Sequence, residues 1–397
     1  MSRHAGESPG PAASDSRVKE SSDLVRQRFA ALERGDRAGW LDGSDPLAPD
    51  GTGAERTVSA ATFDRMRAMG VVDLRVVTAS AAPPSASGSG AEGLVRVDAT
   101  YRLTGFDTAP RAFAVDLTTA YTEGRLRLAS WRPADRPQPW DLDGLRVGRT
   151  DSALVLAVGP PARLAEIQRR VEGARARVAD VWGSSLPAVW VAPASDADAG
   201  RLLGDTGSTG ALAAVTDGPL HTGAPAGADR IVLVPTAWDA LTGTGRDVVL
   251  THELTHATVR ATTTRPVPDW LSEGFAELVA YRQVALAERD IVEPALTQSR
   301  RDGVPRALPT NADFTVGTAR LKAAYGLALL VARTIADTHG VDGLVRFYRD
   351  AAGGMPVGTS AVGDPEAVAD LALRHALGIT RTDLVAQWRS RLQQLQR

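Results

Sequence analysis

The chain of 397 residues contains no cysteine, which removes disulfides and thiolate metal sites together. An excess of one charge is also missing. With 45 basic and 47 acidic residues the net charge is −2, so neither nucleic acid nor an anionic membrane surface is expected as a partner. No apolar run approaches the roughly 18 residues a transmembrane helix needs; "GLALLVA" is cut off by Arg333. A secretory signal is absent from the given start. In its place residues 1–20 form a polar tail or linker, its start rich in Ser, Pro and Gly, like the segment that follows a removed export signal. Two expectations stay open: an extracytoplasmic or cell-surface protein whose export segment is missing from this sequence, or a cytoplasmic one.

What is present supports a globular α+β protein, since 43% of residues are hydrophobic. The length is large for one core, so two domains are expected, at 21–145 and 150–397. The first opens with a helix in "SDLVRQRFAALERGDRAGWL" and a short one over Ala60–Met69. The period then changes: "LVRVDATYRL" and "AFAVDLTTAY" alternate as half-buried strands do, and "TEG" turns the second into "RLRLASW". Between the first helices and these strands, "SAAPPSASGSGAEG" reads as a flexible loop. In "RPADRPQPWDLDG" the density of Pro and Asp marks a linker. Asp141, Asp143 and Gly144 start like a calcium loop but the further acidic ligands are missing.

Beyond the linker come a strand "ALVLAV", an amphipathic helix, and strands "AVWVAP", "ALAAVTD" and "RIVLVP". Leu164, Ile167, Val171, Ala174, Val178 and Val181 form the helix's apolar stripe, leaving Arg169, Arg170 and Arg175 to water.

Histidine is scarce too, at six residues, yet two stand four apart in "VVLTHELTHATVR", Val248 to Arg260. On a helix His252 and His256 share one face about 6 Å apart along the axis, so both reach one ion. Glu253 sits beside that ion, where a carboxylate takes a proton from water at an open metal position. Leu250, Leu254 and Ala257 cluster on the opposite face, and no Gly or Pro interrupts Asp247–Thr264. A buried helix with two core-bonded histidines is the plain alternative. Downstream, "PDWLSEGFAELVAY" offers Glu273 and Glu277, one turn apart, and spacing alone leaves either as a third ligand. The other histidines have structural or surface readings: His221 in a loop, His339 at a helix end, His375 on a late helix.

With "HELTH" followed by "WLSEGFAE", the chain resembles the gluzincin zinc metallopeptidases and the peptidase MA-like families among them. The resemblance covers about Ser152 to Arg397. It implies a two-lobed zincin domain, with a mixed sheet ahead of the metal helix and a helical C-terminal lobe. It implies one zinc per chain on His252, His256 and Glu273, with Glu277 as the outer carboxylate orienting a histidine. It makes Glu253 the general base and Tyr325, at the start of a long helix, a donor to the oxyanion. The substrate would be a peptide or protein, laid along a sheet edge for which "DRIVLVPTAW" is the choice. No Gly-x-Met-Glu-Asn segment of the aminopeptidase branch occurs, which favours endopeptidase action. Aminopeptidase action, and a non-catalytic zinc-bearing protein with the N-terminal domain as its working surface, remain the alternatives. By element order, the N-terminal helices plus curved antiparallel sheet resemble an NTF2-like module.

Overall fold

The computed structural model describes residues 11–44, 54–81, 94–204, 212–218, 223–355 and 363–397. His221, most of the loop expected over 80–93, and the first ten residues lie outside them. Two compact units result, Met1–Val147 with Arg201–Gly204, and Gly148–Gly200 with Asp205–Arg397. Each mixes helices with a sheet of its own.

In the first unit three helices, α1 (Pro11–Arg34), α2 (Arg37–Asp42) and α3 (Ala54–Met69), precede four strands. These are β1 (Val71–Ala81), β2 (Leu94–Leu103), β3 (Arg111–Thr122) and β4 (Arg125–Pro133), an antiparallel meander ordered β1-β2-β3-β4. Helix α1 begins at Pro11, so residues 11–20 of the expected tail are helical. Proline at a helix's first turn gives up no hydrogen bond, and the stretch after it holds no Gly or Pro. The single helix expected through Trp40 is two, because Gly35 turns the chain at φ +71° and Asp36 caps α2 by accepting from the Gly39 N–H at 2.8 Å.

Strand β2 buries every second residue, as its alternation foretells. Strand β1 escaped the sequence pattern because its ladder slips twice against β2, between Val72 and Arg75 and between Val76 and Thr78. The expected linker at Trp140 belongs to the core instead. Trp140 is buried edge-on to Tyr101 and Phe113, with centroids 4.7 and 5.3 Å away, and a 3₁₀ turn over Pro139–Asp141 holds it there. A Pro-rich composition marks irregular backbone, and irregular backbone still packs when it carries a large aromatic.

The division between units falls inside β5 (Leu145–Arg149). The strands lying wholly in the second unit are β6 (Ala153–Val158), β7 (Ala188–Ala192), β8 (Ala214–Asp217) and β9 (Arg230–Leu233). They are ordered β6-β7-β9-β8, parallel except for β8, which runs antiparallel to β9. Helix α4 (Pro161–Trp182) connects β6 to β7 and buries Ile167, Val171, Ala174 and Val178, the expected stripe. Strand β9 therefore has a neighbour on each side and cannot be the peptide-binding edge expected of "DRIVLVPTAW". The edge is β8. A run as apolar as "RIVLV" belongs in a sheet interior, where both faces are covered.

Two short helices, α5 (Asp196–Leu203) and α6 (Pro235–Asp239), flank these strands. After them come α7 (Gly243–Arg260) and α8 (Asp269–Tyr281), then α9 (Glu288–Ile291), α10 (Glu293–Asp302), α11 (Leu321–Arg349), α12 (Pro365–Leu377) and α13 (Arg381–Gln396). Helix α7 starts a turn before the expected position. Thr242 caps it, accepting from the Gly245 N–H at 3.1 Å, so Gly243 and Gly245 lie within the helix. Among the described residues no helix is long and apolar enough to cross a membrane.

Helices α8 and α11 touch at Gly274. A methyl group added there would lie 2.4 Å from the Ala328 carbonyl oxygen. Backbone, unlike a flexible side-chain tip, yields only if the whole helix moves. Gly274→Ala is therefore expected to lower stability by about 1–3 kcal/mol, the usual cost of forced overpacking. Urea unfolding checks this, and an unchanged midpoint would show that α8 shifts freely on α11.

Candidate metal centre

Helix α7 places His252 and His256 as the four-residue spacing requires, with ring centroids 4.7 Å apart. Its other face is anchored, since Leu250 and Leu254 are buried in the core. Helix α8 then brings a carboxylate to both rings. Glu273 Oε2 lies 3.1 Å from His252 Nε2 and 3.2 Å from His256 Nε2, and the two nitrogens are 3.0 Å apart. The three atoms form a nearly equilateral triangle, and the three residues stand as a group able to hold a metal ion.

The donor set fits zinc. Two ring nitrogens and one carboxylate oxygen are ligands of the catalytic kind, and a tetrahedral ion with bonds of about 2.0–2.1 Å sets its donors about 3.3–3.4 Å apart. Three lone-pair atoms converging this closely repel one another unless a proton or a cation sits among them. Three protein donors also leave a fourth position open.

The electrostatics favour a cation. Burial alone would push the Glu273 carboxyl up, but the two imidazoles hold it well below the usual carboxylate range, so it stays ionised. Burial likewise opposes charge on His252, yet Glu273 and Glu277 outweigh it and raise its pKa well above the ordinary histidine value. Glu277 Oε1 lies 3.1 Å from His252 Nδ1, off the axis of a linear N–H bond. Of the two glutamates that spacing left equal, Glu273 thus meets the Nε2 atoms of both histidines and Glu277 meets the far side of one ring.

Glu253 lines the same cleft but is not one of the three converging donors. Its Oε2 accepts a 2.7 Å hydrogen bond from Thr216 Oγ1, and the same hydroxyl lies 3.1 Å from the Glu253 carbonyl oxygen. Thr216 belongs to β8, so the edge strand fixes the rotamer of that carboxylate. Tyr325, the fifth residue of α11, sets its ring edge-on to His252 with centroids 5.9 Å apart. Burial first, then the Glu273 and Glu253 carboxylates, push its phenol far above the ordinary value. The hydroxyl therefore remains a donor at any working pH.

Sequence reasoning missed the support of the second histidine. Ser272 Oγ lies 3.4 Å from His256 Nδ1, and Tyr348, buried in α11, shares a hydrogen bond with Ser272. Ser272 was visible only as the variable position of "WLSEG", and Tyr348 lies 92 residues from His256 with no spacing to tie the two. Neither Thr216 nor these two carries a motif. His339 and His375 stand far along the chain in α11 and α12; His375 Nδ1 is 2.6 Å from Asp350 Oδ2.

His252, Glu253, His256, Glu273 and Tyr325 all line one cleft of about 340 Å³, with Ala214, Val215 and Thr216 of β8 along its wall. No family model matches the chain, and no curated protein matches it. Among solved structures it is similar to a crystal structure of an M1 zinc metallopeptidase mutant from Deinococcus radiodurans. The TM-score is 0.36 and the identity 15%, over 74% of this chain and 61% of that one. A second crystal structure of that mutant, bound to Tyr-ser-ala substrate, gives 0.35 and 15% over 74% and 60%. The chain spans about three-fifths of the length of those structures.

Proposed function

We propose that this protein is a zinc-dependent peptide hydrolase, with one ion per chain on His252, His256 and Glu273. The observation that carries this reading is the triangle of two imidazole nitrogens and one carboxylate oxygen, 3.0–3.2 Å on a side, with a buried carboxylate next to it in an open cleft. A structural zinc site fills all four positions with protein donors and needs no base. Here there are three donors, and Glu253 lies beside them.

Zinc, when bound, supplies Lewis acidity and makes water acidic enough to be deprotonated near neutral pH. The protein's residues do the rest. Glu253, steadied by Thr216, takes the proton from the attacking water and hands it to the leaving amine. Glu277 holds His252 from behind, and Ser272 does so for His256, which keeps the Nε2 atoms aimed at one point. Tyr325 donates to the oxygen that gains charge as the carbonyl becomes tetrahedral. The peptide lies extended along β8, which among the described residues pairs with β9 alone. Such a groove and the missing aminopeptidase segment favour endopeptidase action. For the N-terminal unit, helices followed by a four-stranded meander, we propose an NTF2-like module.

The test is bound-metal content measured alongside cleavage of a mixed peptide library. About one zinc per chain with cleavage that stops on chelation is expected; metal without any cleavage would leave a binding protein. Within the reading, Tyr325→Phe should lower kcat by about 100-fold with KM nearly unchanged, because the lost hydrogen bond forms fully only in the transition state. Steady-state kinetics decide it: an unaltered kcat returns Tyr325 to a packing role.

A further inference from the structure

Arg265 lines the same cleft as the metal-site residues. It sits in the turn between α7 and α8, and the chain there is pinned: the N–H groups of Thr264 and Arg265 both donate to the Ala352 carbonyl at 3.0 Å. Its side chain is half-buried, and both terminal nitrogens share a single acceptor, the Met355 carbonyl oxygen, each at 3.2 Å. A guanidinium has five N–H donors. One backbone carbonyl leaves most of that capacity unused.

Most of the other charges in the cleft have partners. Arg260 is held by Asp229, with Nε 2.9 Å from Oδ2. Glu253 accepts from Thr216, and Glu273 belongs to the two histidines. Asp269, its carboxyl pushed up to about 6 by burial and by Glu273, pairs with neither arginine. Among the described residues no carboxylate lies within salt-bridge reach of Arg265, although ion pairs elsewhere in this unit are plentiful. A half-buried cation without a counter-ion is costly to keep. A guanidinium lining the same cleft as the donor triangle suits the planar, two-pronged recognition of a carboxylate.

We propose that Arg265 is a specificity residue that receives a carboxylate of the substrate, so that the cleft selects peptides presenting one. This rests on the peptidase reading for its consequence in catalysis, but not for the binding itself. Two sources supply the group: the free C-terminus of a peptide, or an Asp or Glu side chain within it.

The experiment uses matched peptides in three forms, with a free C-terminal carboxylate, with a C-terminal amide, and with an internal Asp or Glu changed to Asn or Gln. The full chain is assayed for hydrolysis, and Glu253→Gln for peptide binding by fluorescence polarisation. The wild type should prefer the carboxylate form by about 10- to 100-fold, the range of a charge-assisted hydrogen bond of about 1.5–3 kcal/mol. Arg265→Gln should collapse that ratio, Arg265→Lys should retain part of it, and Arg265→Glu should turn the preference toward basic peptides. Loss of preference on amidation identifies the C-terminus; loss on the Asn or Gln change identifies the side chain. Hydrolysis with equal rates on all forms overturns the proposal and leaves the peptidase standing. Carboxylate-selective, Arg265-dependent binding without hydrolysis keeps the proposal and removes the peptidase. Neither binding nor cleavage overturns both. The wild-type preference needs no variant, so a poorly folded Arg265→Gln does not shield the proposal.

Discussion

Changing Glu253 to Gln is expected to lower kcat by about 10²- to 10⁴-fold while metal content stays at the wild-type value. The amide keeps the shape of the side chain and can still accept from Thr216 Oγ1, which now holds the carboxylate at 2.7 Å. It cannot take a proton, and positioned acid–base catalysis contributes a factor of that size. Glu253 is not among the three converging donors, so the set of candidate ligands is unchanged. Two measurements on one preparation decide the matter: zinc per chain and the single-turnover rate. A variant that cleaves at the wild-type rate would show that Glu253 is not the base. One that loses the metal as well would show that it is a ligand. Thr216→Val adds a finer comparison, since it frees the carboxylate without removing it.

The second large effect separates the two glutamates of α8. Glu273→Ala removes one of three donors and should leave the site nearly empty at ordinary zinc concentrations. Glu277→Ala removes only the group behind His252 and should weaken zinc by about 10- to 100-fold, with excess metal restoring part of the activity. Competition against a chromophoric chelator measures both. A Glu277 variant as empty as the Glu273 variant would reverse the two roles. The pH dependence has a definite sign. Because Glu273 and Glu277 raise His252 well above the ordinary histidine value, the metal-free site holds a proton there at neutral pH. Zinc must displace it, so affinity falls as pH falls, and the Glu277→Ala variant should lose part of this slope.

Part of the site and of the fold is legible in the amino-acid sequence alone. His252, Glu253 and His256 lie within five residues of one helix, and helical geometry fixes which of them share a face. The same holds for Glu273 and Glu277, and for the stripe of α4 from Ile167 to Val181. Alternation in "LVRVDATYRL" likewise suffices for β2, where every second residue is buried. Wherever the alternation is broken by irregular pairing, as in β1, the pattern fails. Where an aromatic anchors irregular backbone, as at Trp140, composition misleads.

The sequence by itself determined what local periodicity can determine: two histidines and a glutamate on one helix, and two glutamates one turn apart on another. The tertiary structure decided which glutamate meets both histidines. That choice is a matter of how α8 is rolled about its axis, and packing sets the roll: Gly274 lies against the Ala328 carbonyl, closer than any side chain would permit. It also decided that β8 and not β9 is the sheet edge, that Thr216 hydrogen-bonds Glu253, and that Arg265 lines the cleft with no carboxylate in salt-bridge reach among the described residues. Each of these depends on residues distant in the chain, 37 positions for Thr216 and Glu253 and 90 for Arg265 and Met355. Local propensity carries no information about such pairs, because their contact energy exists only once the chain between them has folded.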